Sequence, residues 1–150
     1  MGLKEKAEAV KQRTVEKIEE AMRDVVEPGE KVLVSSTTSA GPSWWVSFLL
    51  LGPIGILLLW KNYFVSLTDQ RLVFIRVSLR GRAQGLAFAY PRTAVSVVNY
   101  IEKAGPSMTD LLIRCPDGNV RRLHFNRAAY GWKNGWEAEA MAIRDGLSGS

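Results

Sequence analysis

The chain has 150 residues, of which 47% are hydrophobic and 23% charged, and its formal net charge is +5. This length suits one domain that buries its own core, and the composition excludes an intrinsically disordered chain. A single cysteine excludes an internal disulfide, and the charge-dense N-terminus lacks the apolar segment of a secretory signal peptide. We therefore expect the folded part to lie in the cytoplasm.

The net positive charge comes from the second part of the chain. Residues 1–43 hold 7 Lys/Arg and 8 Asp/Glu, whereas residues 61–150 hold 13 Lys/Arg and 7 Asp/Glu. The segment between them carries no charge at all. A basic region beside an apolar one suits an anionic membrane surface, and a basic region alone also suits a nucleic acid.

The first element is an amphipathic helix over residues 3–26, because apolar side chains recur there at three- and four-residue steps. Glu27-Pro28-Gly29 ends it. The helix either packs on its own domain or associates with another chain, and the pattern leaves both possibilities open. The apolar stripe consists of Leu3, Ala7, Val10, Thr14, Ile18, Ala21, Met22 and Val25.

After the helix, short β-branched and aromatic segments alternate with turn residues, which predicts a series of strands. Thr68 and Asp69 favour a turn because their side chains bond nearby backbone N–H groups. Pro116-Asp117-Gly118 indicates a β-hairpin. The predicted strands are 30–39, the two halves of 62–79, LAFAYP, AVSVVNYIEK, PSMTDLLIRC and NVRRLHFN, with a loop at 80–85.

The C-terminal segment predicts a closing helix, since Trp136, Ala140, Ile143 and Leu147 fall on one helical face. The order of helix, strands and helix predicts an α+β fold built on a bent antiparallel sheet or half-barrel, capped by the C-terminal helix. We divide the chain into an N-terminal amphipathic helix at 1–26 and a domain at 27–147 that contains an apolar insert at 44–60.

Three stretches resemble the bacterial pleckstrin-homology-like (PH-like) domains. They are EPGEKVLVS at the start of the domain, YFVSLTDQRLVFI, and LLIRCPDGNVRRLHF before the last helix. Thr68, Asp69, Arg71 and Leu72 match the family's pattern and are structural positions, and the resemblance covers roughly residues 27–147. It implies a seven-stranded bent sheet capped by a helix, often oligomeric, often attached to membrane proteins, and without known catalysis. The long apolar insert between the first two strands departs from that pattern.

The insert, WWVSFLLLGPIGILLLW at 44–60, is 17 residues long and uncharged. As one helix it reaches only about 26 Å, short of a hydrocarbon core of about 30 Å, and its central Gly-Pro interrupts a helix. Both of its ends also lead into strands of the same sheet. We therefore expect a hairpin that turns at 52–55, with arms at 44–51 and 56–60 and tryptophans at its base.

Three interpretations of the insert remain open: an element that dips into one membrane leaflet, an interface with a partner or second copy, and part of the domain's own core. Tryptophan side chains favour headgroup depth, and cations beside them favour anionic lipid. For a membrane-dipping hairpin, the residues expected to insert are Trp44, Trp45, Phe48, Leu50, Ile54, Leu57 and Trp60. The residues expected to meet headgroups are Lys61, Arg76, Arg80 and Arg82.

The sequence contains no pattern typical of catalysis. His124 has no evident partner, Cys115 is expected to be a buried thiol, and Asp110 and Asp117 are expected to be hairpin residues. No cofactor, metal or small-molecule substrate is indicated, and nucleic-acid binding lacks a recognition helix or stacking platform. We expect a non-enzymatic, membrane-associated PH-like binding or scaffold module, peripheral or monotopic at the cytoplasmic face. The alternative is a structural protomer of a homo-oligomer or larger assembly, with the insert and N-terminal helix as interfaces.

Overall fold

The computed structural model describes residues 2–105, 107–127 and 135–148, except for the side chains at positions 3, 4, 7, 56 and 57. Helices begin and end the described chain, and two short helices interrupt the strands. The elements are α1 (Leu3–Arg23), β1 (Val32–Ala40), α2 (Trp44–Leu51), α3 (Pro53–Leu59), β2 (Lys61–Thr68), β3 (Arg71–Val77), β4 (Ala83–Pro91), a 3-10 turn (Arg92–Ala94), β5 (Ser96–Gly105), β6 (Met108–Arg114), β7 (Val120–Asn126) and α4 (Glu137–Ser148).

The seven strands form one antiparallel sheet in the order β4-β3-β2-β1-β7-β6-β5. β1 pairs with β2 from Val32 to Ala40, but it pairs with β7 only at Ser39–His124 and Ala40–Leu123. The described strands therefore make an open sheet whose edges are β4 and β5. The α+β class, the antiparallel sheet and the two terminal helices that the sequence predicted are confirmed.

The first helix ends at Arg23, three residues before the predicted boundary. Its second half supplies the packing face, where Ile18 and Met22 are buried in the core, whereas Val10 near the start is exposed. The helix lies on the sheet, since α1 contacts β1 and β4. Packing on its own domain therefore accounts for the C-terminal half of the apolar stripe.

β2 is buried on both faces. Every residue from Tyr63 to Thr68 is buried. On one face, Phe64 lies beside α1 residues such as Ala21. On the other face, Leu67 contacts Gly146 of α4 so closely that a Cβ on the glycine would clash with it. When other elements cover both faces of a strand, consecutive residues are all buried, because neither face meets water.

The closing helix α4 packs against β1, β5, β6 and β7. The face predicted from spacing is confirmed, because Trp136, Ala140, Ile143 and Leu147 are all buried. Arg92 secures the C-terminal end of this helix. Its guanidinium donates to the Gly146 carbonyl from Nε at 3.1 Å and from Nη2 at 2.7 Å, which satisfies an acceptor that a helix end leaves open.

β4 begins at Ala83, three residues earlier than expected, inside the segment predicted as a loop. The strand stays paired with β3 as far as Val77–Ala83, but its register shifts on the way. Gly85 has a φ of +105°, a conformation that L side chains rarely adopt and that accommodates such an irregularity. Turn-rich residues here indicated a loop, whereas pairing with β3 extends the strand.

The Thr68–Arg71 turn is tied to the segment that follows α1. Thr68 Oγ1 accepts the N–H groups of Gln70 and Arg71 at 3.1 and 2.8 Å. Asp69 Oδ1 accepts the Lys31 N–H at 3.0 Å. These side chains satisfy backbone donors that the turn leaves open. The Thr-Asp pair therefore fixes the β2–β3 turn and the entry to β1 together.

The strongest polar contact of this region is the ion pair between Glu30 and Arg71. Arg71 donates from Nε to Oε2 at 2.8 Å and from Nη2 to Oε1 at 2.6 Å, and Thr68 Oγ1 donates to Oε2 at 2.7 Å. The Glu30 side chain is fully buried. Hydrogen bonding by Arg71, against the opposing effect of burial, lowers the pKa of Glu30 to about 2.

This pair predicts an acid-sensitive part of the free energy of unfolding. Because the folded pKa of Glu30 lies below its ordinary value, its contribution is complete above about pH 4.5 and is lost as the pH falls towards 2. We expect Glu30→Gln to lower the free energy of unfolding at pH 7 by about 3 kcal/mol. Urea unfolding followed by circular dichroism between pH 7 and about pH 3 measures both effects.

The variant should also show a shallower loss of stability over that pH range than the unsubstituted protein. Glu16→Gln, at an exposed position of α1, is the matched control and is expected to unfold like the unsubstituted protein. Parallel curves for Glu30→Gln and the unsubstituted protein would contradict the assignment.

Candidate functional site

The apolar insert is a helical hairpin between β1 and β2. α2 begins after Ser43, whose Oγ accepts the Val46 N–H at 3.3 Å. It ends at Gly52, which has a φ of +65° and donates its N–H to the Phe48 carbonyl at 2.7 Å. Pro53 then opens α3, where its missing N–H costs nothing. The turn predicted at 52–55 is therefore a glycine cap followed by a proline start, and it occupies only Gly52.

The two helices fold back on each other through small residues. Gly55 is buried against the Ser47 carbonyl so closely that a Cβ at position 55 would clash with it. Ser47 is itself fully buried, and its Oγ donates to the Pro42 carbonyl at 3.3 Å. The inner side of the hairpin is thus made of its smallest side chains, which leaves the large ones for the outside.

The outer side of the hairpin is an exposed apolar surface. Its side chains are between 39% and 80% exposed, with Phe48 at the lower limit and Leu49 at the upper. Single exposed apolar residues are ordinary, but a contiguous patch of this kind marks a site of interaction. We call it the apolar hairpin surface; it consists of Trp45, Val46, Phe48, Leu49, Leu50, Leu51, Ile54 and Leu58.

Four of the residues predicted to insert lie on this surface: Trp45, Phe48, Leu50 and Ile54. The side chain of Leu57, another predicted position, lies outside the described residues. Leu49, the most exposed member, was absent from the prediction although it stands between Phe48 and Leu50, which were both included. The residues before and after Leu49 are exposed as well. A helical periodicity in the sequence therefore could not have distinguished Leu49 from them.

Trp44 ties the start of α2 to the sheet. It is half-buried, its ring stacks on Phe48 with centroids 5.1 Å apart, and it meets the edge of Trp45 at 4.7 Å. A Cβ on Gly105 would lie 3.2 Å from the Trp44 Cβ, so the end of β5 approaches the tryptophan closely. Trp44 therefore belongs to the base of the hairpin. It contacts the apolar hairpin surface through Trp45 and Phe48.

Trp60 does not lie on the apolar hairpin surface, contrary to expectation. It is only 8% exposed, and its ring stacks on His124 with centroids 3.7 Å apart and planes 8° from parallel. Its Nε1 donates to the Pro42 carbonyl at 2.9 Å and to Ser47 Oγ at 3.1 Å. A tryptophan N–H is buried only when it finds such acceptors, and these hold Trp60 under the hairpin.

His124 and Asp110 form a buried pair, so the expectation that His124 lacks a partner is wrong. His124 Nδ1 lies 2.7 Å from Asp110 Oδ1, and Nε2 lies 3.0 Å from the Gly41 carbonyl. Arg122 Nε donates to the other carboxylate oxygen of Asp110. Positions 110 and 124 are equally far from the hairpin turn at Asp117, and this symmetry in the sequence could have predicted their pairing.

Three of the four predicted cations line one groove beside the hairpin. Lys61, Arg76 and Arg80 border a groove of about 480 Å³ between α3 and the β3–β4 turn, with Leu58 and Leu79 on its walls. No Asp or Glu lines it. The fourth, Arg82, lies in a neighbouring groove of about 460 Å³ that it shares with Arg80 and residues of α1.

The cations of the chain divide into paired and unpaired groups. Arg71, Arg121 and Arg122 each form an ion pair with an acidic residue. Within the ranges that the structure describes, Lys61, Arg76, Arg80 and Arg82 form none. The residues predicted from their position near the insert are thus among several cations that form no ion pair within those ranges, although Glu20 and Asp24 line the groove that Arg80 and Arg82 share.

Neither a metal cluster nor a membrane-crossing helix is found in the described parts of the chain. No three His, Cys, Asp or Glu side chains among those residues come together as metal ligands would. No helix there combines the length and the apolar composition needed to cross a membrane.

Comparison with protein-family models finds no match to this chain, and neither does comparison with curated proteins. The resemblance to PH-like domains therefore stays an expectation from the sequence patterns described above. The interpretation of the hairpin and groove rests on their own geometry.

The different environments of two tryptophans predict different effects of the same substitution. Trp60→Ala removes a buried ring and two hydrogen bonds, so we expect it to lower the free energy of unfolding by about 3–5 kcal/mol. Trp45→Ala removes an exposed ring and is expected to cost about 1 kcal/mol or less. Chemical denaturation of both variants measures the difference, and equal effects would contradict the anchoring role of Trp60.

Proposed function

We propose that the protein is a non-enzymatic module that attaches to the cytoplasmic face of a membrane by its helical hairpin. The observation that carries the proposal is the apolar hairpin surface, a group of large side chains exposed at 39–80%. Burying one exposed leucine is worth roughly 1.5–3 kcal/mol. A few such side chains exceed what micromolar binding requires, about 8 kcal/mol, before the cost of association is subtracted.

The length and connection of the hairpin favour insertion into one leaflet. α2 has 8 residues and α3 has 7, so each helix is about 10–12 Å long against a hydrocarbon core of about 30 Å. The hairpin leaves β1 and returns to β2, which are paired neighbours in the sheet. Both arms therefore return to the same side, as a monotopic element requires.

The unpaired cations supply a second signal beside the apolar one. Lys61 directly follows the hairpin, and Arg76 and Arg80 line the same groove as Leu58. Each cation near an anionic surface contributes roughly 1 kcal/mol. Apolar insertion and charge attraction together give stable attachment where either alone gives transient binding.

The environments of Cys115 and His124 support the proposal that the protein is not an enzyme. Burial raises the pKa of the Cys115 thiol, which opposes formation of a nucleophilic thiolate. His124 lies beneath Trp60 with an oxygen within hydrogen-bond distance of each ring nitrogen. Such a histidine has no nitrogen left for a substrate.

The PH-like character and a scaffold role enter the proposal by resemblance. A seven-stranded antiparallel sheet with a C-terminal helix is compatible with the fold that the resemblance implies. We infer that the sheet is the platform that presents the hairpin at the membrane. α1, whose first half carries the exposed Val10, is the surface we assign to a protein partner or a second copy.

Flotation with anionic vesicles tests membrane attachment. We expect the unsubstituted protein to float with vesicles that contain phosphatidylglycerol. Leu49→Glu places a charge on the apolar hairpin surface and should weaken binding at least about tenfold, because an acidic residue costs roughly 2.5–3.5 kcal/mol in hydrocarbon. A protein that stays in the soluble fraction at low salt without detergent would contradict the proposal.

Leu33→Glu is the matched control for this experiment. Leu33 is also an exposed leucine, at 51%, but it lies on β1, and the variant is expected to float like the unsubstituted protein. Equal loss for both variants would indicate a general effect of added negative charge.

A second candidate is a structural protomer that buries the same hairpin against other copies. It is favoured by the same apolar hairpin surface and by the exposed Val10 of α1, because exposed apolar patches also mark interfaces between proteins. Light scattering without lipid or detergent separates the two candidates. This one predicts an oligomer that Leu49→Glu converts to a monomer, and an unsubstituted protein that is already monomeric would contradict it.

A further inference from the structure

We propose that the groove between α3 and the β3–β4 turn binds the headgroup of a single lipid that ends in a phosphomonoester. This inference rests on the proposed membrane attachment and adds a defined ligand to it. Lys61, Arg76 and Arg80 line the groove with no acidic residue among its lining side chains. We call it the headgroup groove, and the lipid chemistry follows from its charge, its hydrogen-bond donors and its walls.

The charge of the headgroup groove suits a doubly charged group. Its three cations form no ion pair among the described residues, and the acidic residues Glu20 and Asp24 line only the neighbouring groove that Arg80 also borders. A phosphomonoester carries about −1.5 to −2 at pH 7, whereas the phosphodiester of an ordinary phospholipid carries about −1. Arginine also meets phosphate oxygens with two parallel N–H bonds. The groove therefore favours the more highly charged headgroup.

Two polar side chains in the groove are left as donors by their other contacts. Asn62 Oδ1 already accepts the Ser39 hydroxyl at 2.7 Å, so its amide NH₂ group is the part that remains for a ligand. Ser78 Oγ accepts the Arg82 N–H at 3.1 Å, which leaves its hydroxyl hydrogen to donate. Both residues line the groove. Donors beside cations match the acceptor oxygens of a phosphate and disfavour a cationic ligand.

The Arg76 side chain packs on the aromatic ring of Tyr63. It pairs with Tyr63 in the β2–β3 register, and its guanidinium carbon lies 5.8 Å from the centre of the Tyr63 ring. An aromatic ring beneath a guanidinium contributes a cation–π attraction and limits the side chain's freedom. An arginine held in this way loses less entropy when it binds a phosphate.

The walls of the groove indicate a lipid as the source of the phosphate. Leu58 and Leu79 both line the groove and are 68% and 80% exposed. Leu79 lies at the β3–β4 turn, outside the predicted insertion set, and it adds an exposed apolar side chain that does not belong to the hairpin. A free phosphate ion needs no such walls, whereas a headgroup at the interface lies between apolar chains and water.

Binding to two kinds of vesicle with equal surface charge tests the proposal. One contains phosphatidic acid at about 10 mol% and the other phosphatidylglycerol at about 20 mol%, in phosphatidylcholine, so the total charge is matched near pH 7. We expect binding to the phosphatidic acid vesicles to be about fivefold tighter, equivalent to about 1 kcal/mol. At about pH 5 the phosphomonoester carries about one charge, so vesicles with about 20 mol% of either lipid are matched in charge, and the preference should be lost.

Variants locate the preference in the headgroup groove. Arg76→Gln and Arg80→Gln are each expected to reduce the ratio of affinities to below about twofold. Arg114→Gln removes the same charge from an exposed position on β6, and it should weaken binding to both vesicles equally and keep the ratio. Circular dichroism of each variant verifies that the fold is retained.

The outcomes separate this inference from the function on which it rests. Equal binding to the two vesicles, or a preference that Arg76→Gln and Arg80→Gln leave intact, would overturn the headgroup site while membrane attachment stands. Absence of binding to both vesicles would overturn both proposals. A preference abolished by millimolar inorganic phosphate would assign the groove to a free phosphate ion and would also overturn the lipid site.

Discussion

The stack of Trp60 on His124 determines how the hairpin leaves the sheet. Burying an indole N–H and an imidazole costs several kilocalories per mole unless both find partners. Here Trp60 bonds to the base of α2, while His124 is bracketed by Asp110 and the Gly41 carbonyl. The polar groups at the hairpin's base are thereby satisfied inside the protein, and the direction of its exit is set.

With its base fixed in this way, the hairpin has an arrangement opposite to that of an amphipathic helix in a soluble protein. Its small and polar residues, Ser47 and Gly55, lie inside, and its large apolar residues lie outside. The inner contact is too close for a side chain at position 55, so the leucines have no inner side to occupy. An apolar phase, lipid or protein, is therefore what the outer side of the hairpin requires.

The distribution of acidic residues decides which cations are available to ligands. Arg71 and Arg122 lie beside the buried carboxylates of Glu30 and Asp110, and they hold the structure together. Around the start of β2 and the end of β3 no acidic side chain lines the groove, and the cations there form no ion pair among the described residues. The same residue type is thus paired with a buried carboxylate in one part of the sheet and left without such a partner in another, according to what lies across from it.

The sequence by itself determined the α+β class, the strands, the buried face of α4 and the fold-back at Gly52-Pro53, because periodicity and turn chemistry are local. It also indicated the exposed Trp45 and the cation Arg76. Only the tertiary structure decided that Trp60 turns inward, that His124 meets Asp110, and that Leu79 flanks the same groove as Leu58. Those outcomes depend on which strands become neighbours and on which polar groups find partners there, and residues far apart in the chain settle both.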